Sequence, residues 1–539
     1  IRSLNIMETF DYIIIGAGSA GCVLANRLSA NPNNKVLVIE AGDEDKNFWI
    51  KVPAGFQKLL NHPTLNWNFK TEPEAGVGDR SIPIPRGKAI GGSSSINGML
   101  FVRGQTLDYD QWAQLGNRGW SYANVMPFFS RIENFERGGD ELRGASGPLN
   151  VADMRERHEM IDAFIEAGVE CGFERNPDYN GARQDGFGYY QVTQKKGQRV
   201  SAADAYLTPV RTRANLKVIA NARTKRLVID GRRVFGIVYD TDGKELEAHA
   251  ECSVIVSAGA VQSPQLLELS GIGQPKLLQG YGIKVKHALA GVGENYRDHY
   301  TARINWRVKQ PITLNQQARG LSLAREVLKY FLAGRGVLTF TAGIGHGFVR
   351  TRPELETPDC QFFFAHASFG DINTRALEKE PGMTIGVCQL RPESRGSIHI
   401  GSADPLADPI IRPNFLSDQI DRDTLVAGLK MARQIGEAPA LAKYTVHEMK
   451  PGADCQTNEA LLDYVRMTGA TVYHPIGTCR MGIRDDAMAV VDERLRVHGL
   501  KGLRVVDASV MPTMPSGNTN APVLMVAEKA ADMIIEDAG

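Results

Sequence analysis

Apolar positions along this chain repeat with two different periods, and the change from one to the other marks its elements. Phe10-Asp11-Tyr12-Ile13-Ile14-Ile15 is a β-rich run of the kind that forms a strand buried on both faces, and it stops at Gly16-Ala17-Gly18-Ser19-Ala20-Gly21. Ala20, Val23, Leu24 and Leu28 then recur at helical spacing as far as Asn31-Pro32-Asn33-Asn34, after which Val36-Leu37-Val38-Ile39 reads as a second parallel strand. Residues 45–85, with several Pro and Gly, read as loops packed over this first unit. Met160, Ile161, Phe164, Ile165 and Val169 give another helical stripe, and Leu216 to Val238 reads as strands around an Asp230-Gly231 hairpin turn. Val254-Ile255-Val256-Ser257 is a further buried strand, running into a helix with Pro264 near its first turn and a glycine stop at Gly271. From 305 to 467 the character shifts. An amphipathic helix carries Leu321, Leu323, Val327, Leu328, Phe331 and Leu332, and runs such as Gln361-Phe362-Phe363-Phe364 and Thr384-Ile385-Gly386-Val387 fit an antiparallel sheet. Leu503-Arg504-Val505-Val506-Asp507 is a strand ending in a carboxylate, and Pro522 opens a last helix with Val523, Val526, Ala527, Ala530 and Ile534 on its apolar face.

The opening strand, glycines, helix and second strand follow the order of a βαβ unit that binds an adenine dinucleotide. Gly16, Gly18 and Gly21 let the backbone approach a pyrophosphate, which sits on amides such as those of Ser19 and Ala20 at the positive end of the helix dipole. Glu40, followed by Ala41, closes the second strand, where a carboxylate accepts from both ribose hydroxyls and repels a 2′-phosphate. The class is therefore α/β (α+β overall), with a Rossmann-like nucleotide domain and a second, mainly antiparallel-sheet domain for the substrate.

Composition narrows the partners. At 539 residues, 43% hydrophobic and 23% charged, the chain has the balance of a soluble two-domain protein. Lys+Arg 62 against Asp+Glu 61 leaves a net charge of +1, so no overall field draws it to nucleic acid or an anionic membrane. Seven scattered cysteines without a C-x-x-C pair argue for reduced thiols and no metal site. No run of about 18 apolar residues and no signal pattern is present, so a cytoplasmic location and no transmembrane segment are expected; residues 1–6 precede Met7 and are left out of the fold argument.

Arg86-Gly87-Lys88-Ala89-Ile90-Gly91-Gly92-Ser93-Ser94-Ser95-Ile96-Asn97-Gly98-Met99 makes the reading specific. It resembles the first signature of the glucose-methanol-choline (GMC) family of flavin oxidoreductases, and its Gly and Ser expose amides and hydroxyls able to cradle phosphate and the edge of a flavin ring. Gly259 through Ser263-Pro264 to Ser270-Gly271-Ile272-Gly273 matches the second signature at every fixed position. Arg199 to Leu207, Val292 to His299 and Leu390 to Ser397 are also family-like; the resemblance spans residues 10 to 535 and is closest to bacterial choline dehydrogenase-like members.

That resemblance implies FAD, bound by Gly16, Gly18, Ser19, Ala20, Gly21, Glu40, Ala41, Arg86, Gly91, Gly92, Ser93, Asn97, Gly98, Asp507, Ala508, Asn518 and Thr519. Thr224, where a valine is usual, meets the adenine through its backbone. Ile96 stands where some members carry a histidine that bonds the flavin, so non-covalent binding is expected. The domains implied are 7–160, 196–304 and 468–539 for FAD, and 161–195 and 305–467 for the substrate.

Thr471-Val472-Tyr473-His474-Pro475-Ile476-Gly477 sets a histidine in a stiff frame of β-branched residues, Pro and Gly, as a proton-transferring group requires. His474 is the expected base. Asn518, where the family carries either a second His or an Asn, donates to the substrate oxygen; Met99, Val472, Tyr473 and Phe364 shape the pocket. His299, beside Arg297 and Asp298, reads as structural. The reaction implied is oxidation of a primary alcohol to the aldehyde, with hydride transfer to flavin N5 and reoxidation by O2 or a quinone. The alternative is a lyase of the hydroxynitrile type with a redox-inert FAD. A serine hydrolase is excluded by the lack of a G-x-S-x-G elbow.

Overall fold

A strand buried on both faces needs parallel neighbours and helices above and below, and the opening run meets that demand. The computed structural model describes residues 8–370 and 376–538. In it, β1 (Glu8–Ile15) and β2 (Val36–Ile39) pair in parallel from Tyr12↔Val36 to Ile15↔Ile39, joined by α1 (Ser19–Leu28). β3 (Lys244–Val256) lies parallel on the other side of β1, Leu503–Val505 is parallel to β3, and Leu216–Ile219 is parallel to β2. Their registers align the strand ends Ile219, Ile39, Ile15, Val256 and Val505 along one edge. Residues just beyond those ends, Gly16, Glu40, Ser257 and Asp507, therefore face a common crevice, the place where open parallel sheets bind ligands. The expected hairpin, Ala222–Asp230 with Arg233–Thr241, extends the sheet antiparallel to β3. α2 (Gly259–Leu269) starts five residues before Pro264, earlier than the sequence suggested.

The second sheet is antiparallel throughout its main path. Its order is Thr445–Lys450, β4 (Tyr300–Val308), Gly382–Gln389, β5 (Cys360–Ala365), Gly345–Val349 and Gly186–Tyr189. The long helix Gln419–Glu437 packs on it so closely that a Cβ at Gly428 would lie 2.5 Å from Val387 Cγ1. Helix Glu159–Glu170, read correctly from its stripe, buries Met160, Ile161, Phe164 and Ile165.

Two expectations change. Residues 45–85 contain short helical turns, Phe48–Lys51 and Phe56–Leu59, inside the predicted loops. α3 (Gly320–Ala333) forms where its period predicts, yet Tyr330 is its sole buried residue, with Leu321 90% and Leu332 77% exposed. Amphipathic spacing shows that a helix has an apolar face, not that this chain covers it. The terminal helix α4 (Asn520–Ala538) returns to α1, where Arg27 grips the buried Glu528 with two bonds of 2.7 and 2.9 Å. Among the described residues no helix is long and apolar enough to cross a membrane.

Candidate active site

The nucleotide end is built by contacts that leave no room for side chains. Gly16 has φ +99°, and a Cβ there would lie 2.5 Å from the Ser257 carbonyl oxygen. A Cβ at Gly21 would fall 1.9 Å from the Gly16 oxygen, so Gly21 seats α1 against the turn and, contrary to expectation, does not line the cleft. Gly16, Gly18, Ser19, Ala20, Glu40 and Ala41 do line it. Glu40 accepts from Ala17 N–H and Gly42 N–H, each at 2.8 Å, one on each carboxylate oxygen, which leaves lone pairs for ligand hydroxyls. Burial pushes its carboxyl up to about 7 against the pull of those amides and of Lys88. Thr224 Oγ1 and Ser257 Oγ, on residues lining the same end, are buried without a protein partner, as donors awaiting a ligand would be.

The signature loop presses on this turn. A Cβ at Gly92 (φ +53°) would meet Gly18 Cα at 2.7 Å, and Gly92, Ser93, Asn97, Gly98 and Met99 face the cleft. Gly91 does not line it: at φ +87° it turns the chain and donates to the Ala17 carbonyl at 2.7 Å. A brace lies underneath. The buried Arg199 guanidinium donates to the carbonyls of Ile50 and Ser94 and, at 2.7 Å, to Asn97 Oδ1, which also accepts from Met99 N–H at 3.0 Å. Burial lowers Arg199 to about 9; in sequence the segment it opens is family-like but gives this arginine no role, since its acceptors lie more than a hundred residues away.

At the far end of the cleft His474 is 8% exposed and Tyr473 holds φ +72°, a left-handed conformation that L-residues adopt at a cost of about 1–2 kcal/mol. Asp298 holds that conformation in place. It accepts from His474 N–H at 2.8 Å, Thr471 Oγ1 at 2.5 Å and the Tyr296 hydroxyl at 2.9 Å, while Thr471 Oγ1 accepts from Tyr473 N–H at 2.7 Å. Burial nonetheless lifts Asp298 to about 6. Arg86, expected at the cofactor, lines the cleft and donates to the Tyr473 carbonyl. Asp507 lines it too, but its carboxylate is engaged by Gly259 N–H, Ser263 Oγ and Ser509 N–H, so it is a brace between α2 and the last strand as well as a cleft wall. Ala508, Asn518 and Thr519 complete that side.

The histidine's proton can be placed by elimination. His299 Nε2 lies 2.8 Å from the Leu390 carbonyl, which can only accept, so this nitrogen carries hydrogen and neutral His299 offers a lone pair at Nδ1. His299 Nδ1 is 2.9 Å from His474 Nδ1, and the hydrogen between them therefore belongs to His474. His474 Nε2 is left as a lone pair, with Asn518 Nδ2 3.1 Å away and able to donate to it. Gln361 Nε2, 3.5 Å from Asn518 Oδ1, turns the amide that way. Both rings are neutral: burial first, and in His474 also His299 and Arg86, drives His299 to about 4 and His474 well below the ordinary imidazole value. His299 is thus not merely structural; it sets which nitrogen of His474 is basic. The sequence alone reads His299, beside Asp298, as structural and gives Gln361 no role, because their partners lie far away along the chain.

Met99 and Val472 line the substrate end beside Tyr473. Phe364 does not. Alternation along β5 sends Phe362 and Phe364 into the core, where Phe364 stacks on Phe164 at 4.5 Å, and it is Phe363, with Phe369, that faces the cleft.

Models described as GMC oxidoreductase match residues 10–301 and 392–527. The chain belongs to the GMC oxidoreductase family. It is 41% identical to an oxygen-dependent choline dehydrogenase of Photobacterium profundum, over 98% of this chain and 93% of that protein. It is equally 41% identical to an alcohol dehydrogenase (acceptor) of Pseudomonas putida, over 98% and 96%. Among solved structures, pyridoxine 4-oxidase from Mesorbium loti superposes with a TM-score of 0.88 at 31% identity, covering 97% of this chain and 98% of that one. A formate oxidase variant of Aspergillus oryzae gives 0.91 at 27%, covering 98% of each. As a GMC oxidoreductase the protein is an FAD-dependent enzyme acting on CH–OH groups. The dehydrogenase and oxidase names of these relatives leave the lyase alternative without support. FAD is bound non-covalently, and the cleft suits it: a glycine turn too tight for a Cβ, a carboxylate with free lone pairs, two unpartnered hydroxyls, and Ile96 with no nucleophile to bond the ring.

Proposed function

We propose that this GMC oxidoreductase oxidises a primary alcohol to its aldehyde, with His474 as general base and Asn518 as donor to the substrate oxygen. The observation that carries the proposal is the bond sequence from the Leu390 carbonyl through His299 to His474, which leaves an unprotonated Nε2 beside the Asn518 amide. FAD, when bound, supplies the acceptor for the hydride that leaves the carbinol carbon. His474 Nε2 takes the hydroxyl proton, a role suited to an imidazole kept neutral by burial. Asn518 Nδ2 then donates to the oxygen as it gains alkoxide character. Asp298, which accepts from the His474 backbone N–H, holds the residue at that position.

The substrate end is walled by Met99, Phe363, Phe369 and Val472, with Thr301, Thr341, Thr384 and Arg303; the three threonine hydroxyls donate to the carbonyls of Val387, Gly98 and Ala367. No carboxylate lines this end among the described residues and Arg303 does, so charge favours an uncharged alcohol; Phe363, Phe369 and Tyr473 are the aromatic faces a quaternary ammonium would have to use instead. Electrons then pass to O2 or to a quinone-type acceptor. Replacement of His474 by Ala should leave FAD bound and slow anaerobic flavin reduction by alcohol by about 10² or more. Bleaching at near wild-type rate would remove the assignment.

A further inference from the structure

We propose that the outward face of α3 docks the protein on the surface of a bilayer containing anionic lipid. Leu321, Ala324, Leu328 and Phe331 follow one another at steps of three and four residues, so they form one stripe, with Leu332 beside it. All five are exposed, Leu328 by 59% and Phe331 by 63%. Phe48, 53% exposed, stacks on Phe331 with ring centres 6.3 Å apart and continues the ridge onto the neighbouring helical turn. Five of the thirteen large apolar side chains exposed among the described residues, Phe48, Leu321, Leu328, Phe331 and Leu332, thus meet in one place. A patch of this kind on a soluble surface marks an interaction site.

The rim around the patch names the partner. Arg325, Lys329 and Arg335 belong to α3 and its exit. Arg155 and Lys196 abut the helix end, since a Cβ at Gly334 would lie 2.4 Å from the Lys196 carbonyl oxygen and 3.7 Å from Arg155 Nη1; Lys195 directly precedes Lys196 in the chain. Against these six cations stand Glu156, which bridges Lys329 and Arg335 at 2.7 and 2.9 Å, and Glu326, which accepts from Val337 N–H. This excess sits on a chain whose net charge is +1, so it is a local feature. An apolar helix face ringed by Lys and Arg complements acyl chains and anionic headgroups together. A second copy fits poorly, because a two-fold interface would set this basic rim against itself.

The face also adjoins the cleft. α3 leads through Val337–Thr339 into Thr341 and Ala342, which line the cleft, as do Phe56, Gln57 and Leu60 from the segment after Phe48. A bilayer seated here would lie at the mouth through which an apolar alcohol or acceptor enters.

Flotation of the holoenzyme with phosphatidylcholine vesicles, with and without phosphatidylglycerol, tests the proposal. The wild type should float with the anionic vesicles and be released by high salt. Leu328→Glu/Phe331→Glu and Lys195→Glu/Lys196→Glu should each reduce bound protein at least about tenfold, while retaining FAD and turnover of a water-soluble alcohol. A wild type that stays unbound on phosphatidylglycerol vesicles would overturn the proposal. So would light scattering showing a dimer that Leu328→Glu/Phe331→Glu converts to monomer, since a second copy would then occupy the face.

Discussion

The basic nitrogen of His474 is set by a neighbour that reads as structural in the sequence. His299 accepts the Nδ1 hydrogen of His474 because its own Nε2 is committed to a backbone carbonyl. Replacing His299 with Leu should leave a buried N–H unpaired, lowering stability by about 1–3 kcal/mol. It should also let the His474 tautomers interconvert; kcat should fall at least about tenfold with little change in KM, and His299→Asn, which restores an acceptor, should recover part of the loss. A purely structural role would not split kcat from KM in this way. The pH dependence follows from the direction of the shift. Since the proposed base is held well below an ordinary imidazole, its neutral form persists into acid, and kcat/KM should stay flat as pH falls from 8 through 6.5. A steep decline centred at 6.5 or above would contradict it. At this scale the sequence pointed to residue types with a motif around them, His474 and Asn518, which the fold brings to within 3.1 Å, but not to side chains whose meaning depends on a distant partner. Phe363 and Phe364 show the same limit: a period of two gives two faces without saying which one looks into the cleft.

Elements were legible where burial leaves one solution. β1, α1 and β2 follow directly from a run apolar on both faces, a glycine turn and a helical stripe. The signature loop is different, because its shape depends on Arg199 reaching in from another segment. Arg199→Ala should remove this donor from the Ile50 and Ser94 carbonyls in a buried setting, leave Asn97 Oδ1 with Met99 N–H alone, and cost about 3 kcal/mol. The measurable signs are a lower Tm and a weaker hold on FAD, read as a rise in FAD Kd, with Arg199→Lys recovering little because it cannot span three acceptors. α3 gives the converse lesson: its spacing announced a helix correctly, and what the apolar side faces was decided by tertiary neighbours that do not reach it.

For the whole molecule, the two-sheet architecture was readable from the shift in pattern near residue 305, and the alignment of five strand ends explains why residues so far apart in the chain share one crevice. Several buried neutral histidines couple that architecture to pH. Burial holds His299 at about 4 and His346 at about 3, against 6.5 for an unfolded imidazole. The unfolded chain therefore binds protons first, so the stability these groups lend is complete above pH 6.5 and is lost as pH falls toward 4 and then 3. Thermal melts of the holoenzyme should show Tm dropping across that window. His346→Phe should flatten the drop; a Tm insensitive to pH between 6.5 and 4 would refute the coupling. Removing FAD should lower Tm further, by the mass-action contribution of a tightly held ligand.

The Leu390 carbonyl has one more implication. A peptide oxygen has no protonation state to change and is supplied by every amino acid, so the tautomer of this histidine pair is encoded in the main chain. Saturation mutagenesis at 390 should perturb packing through the lost apolar side chain, yet those variants that still fold should retain the same active tautomer, a robustness that a carboxylate in its place would not confer.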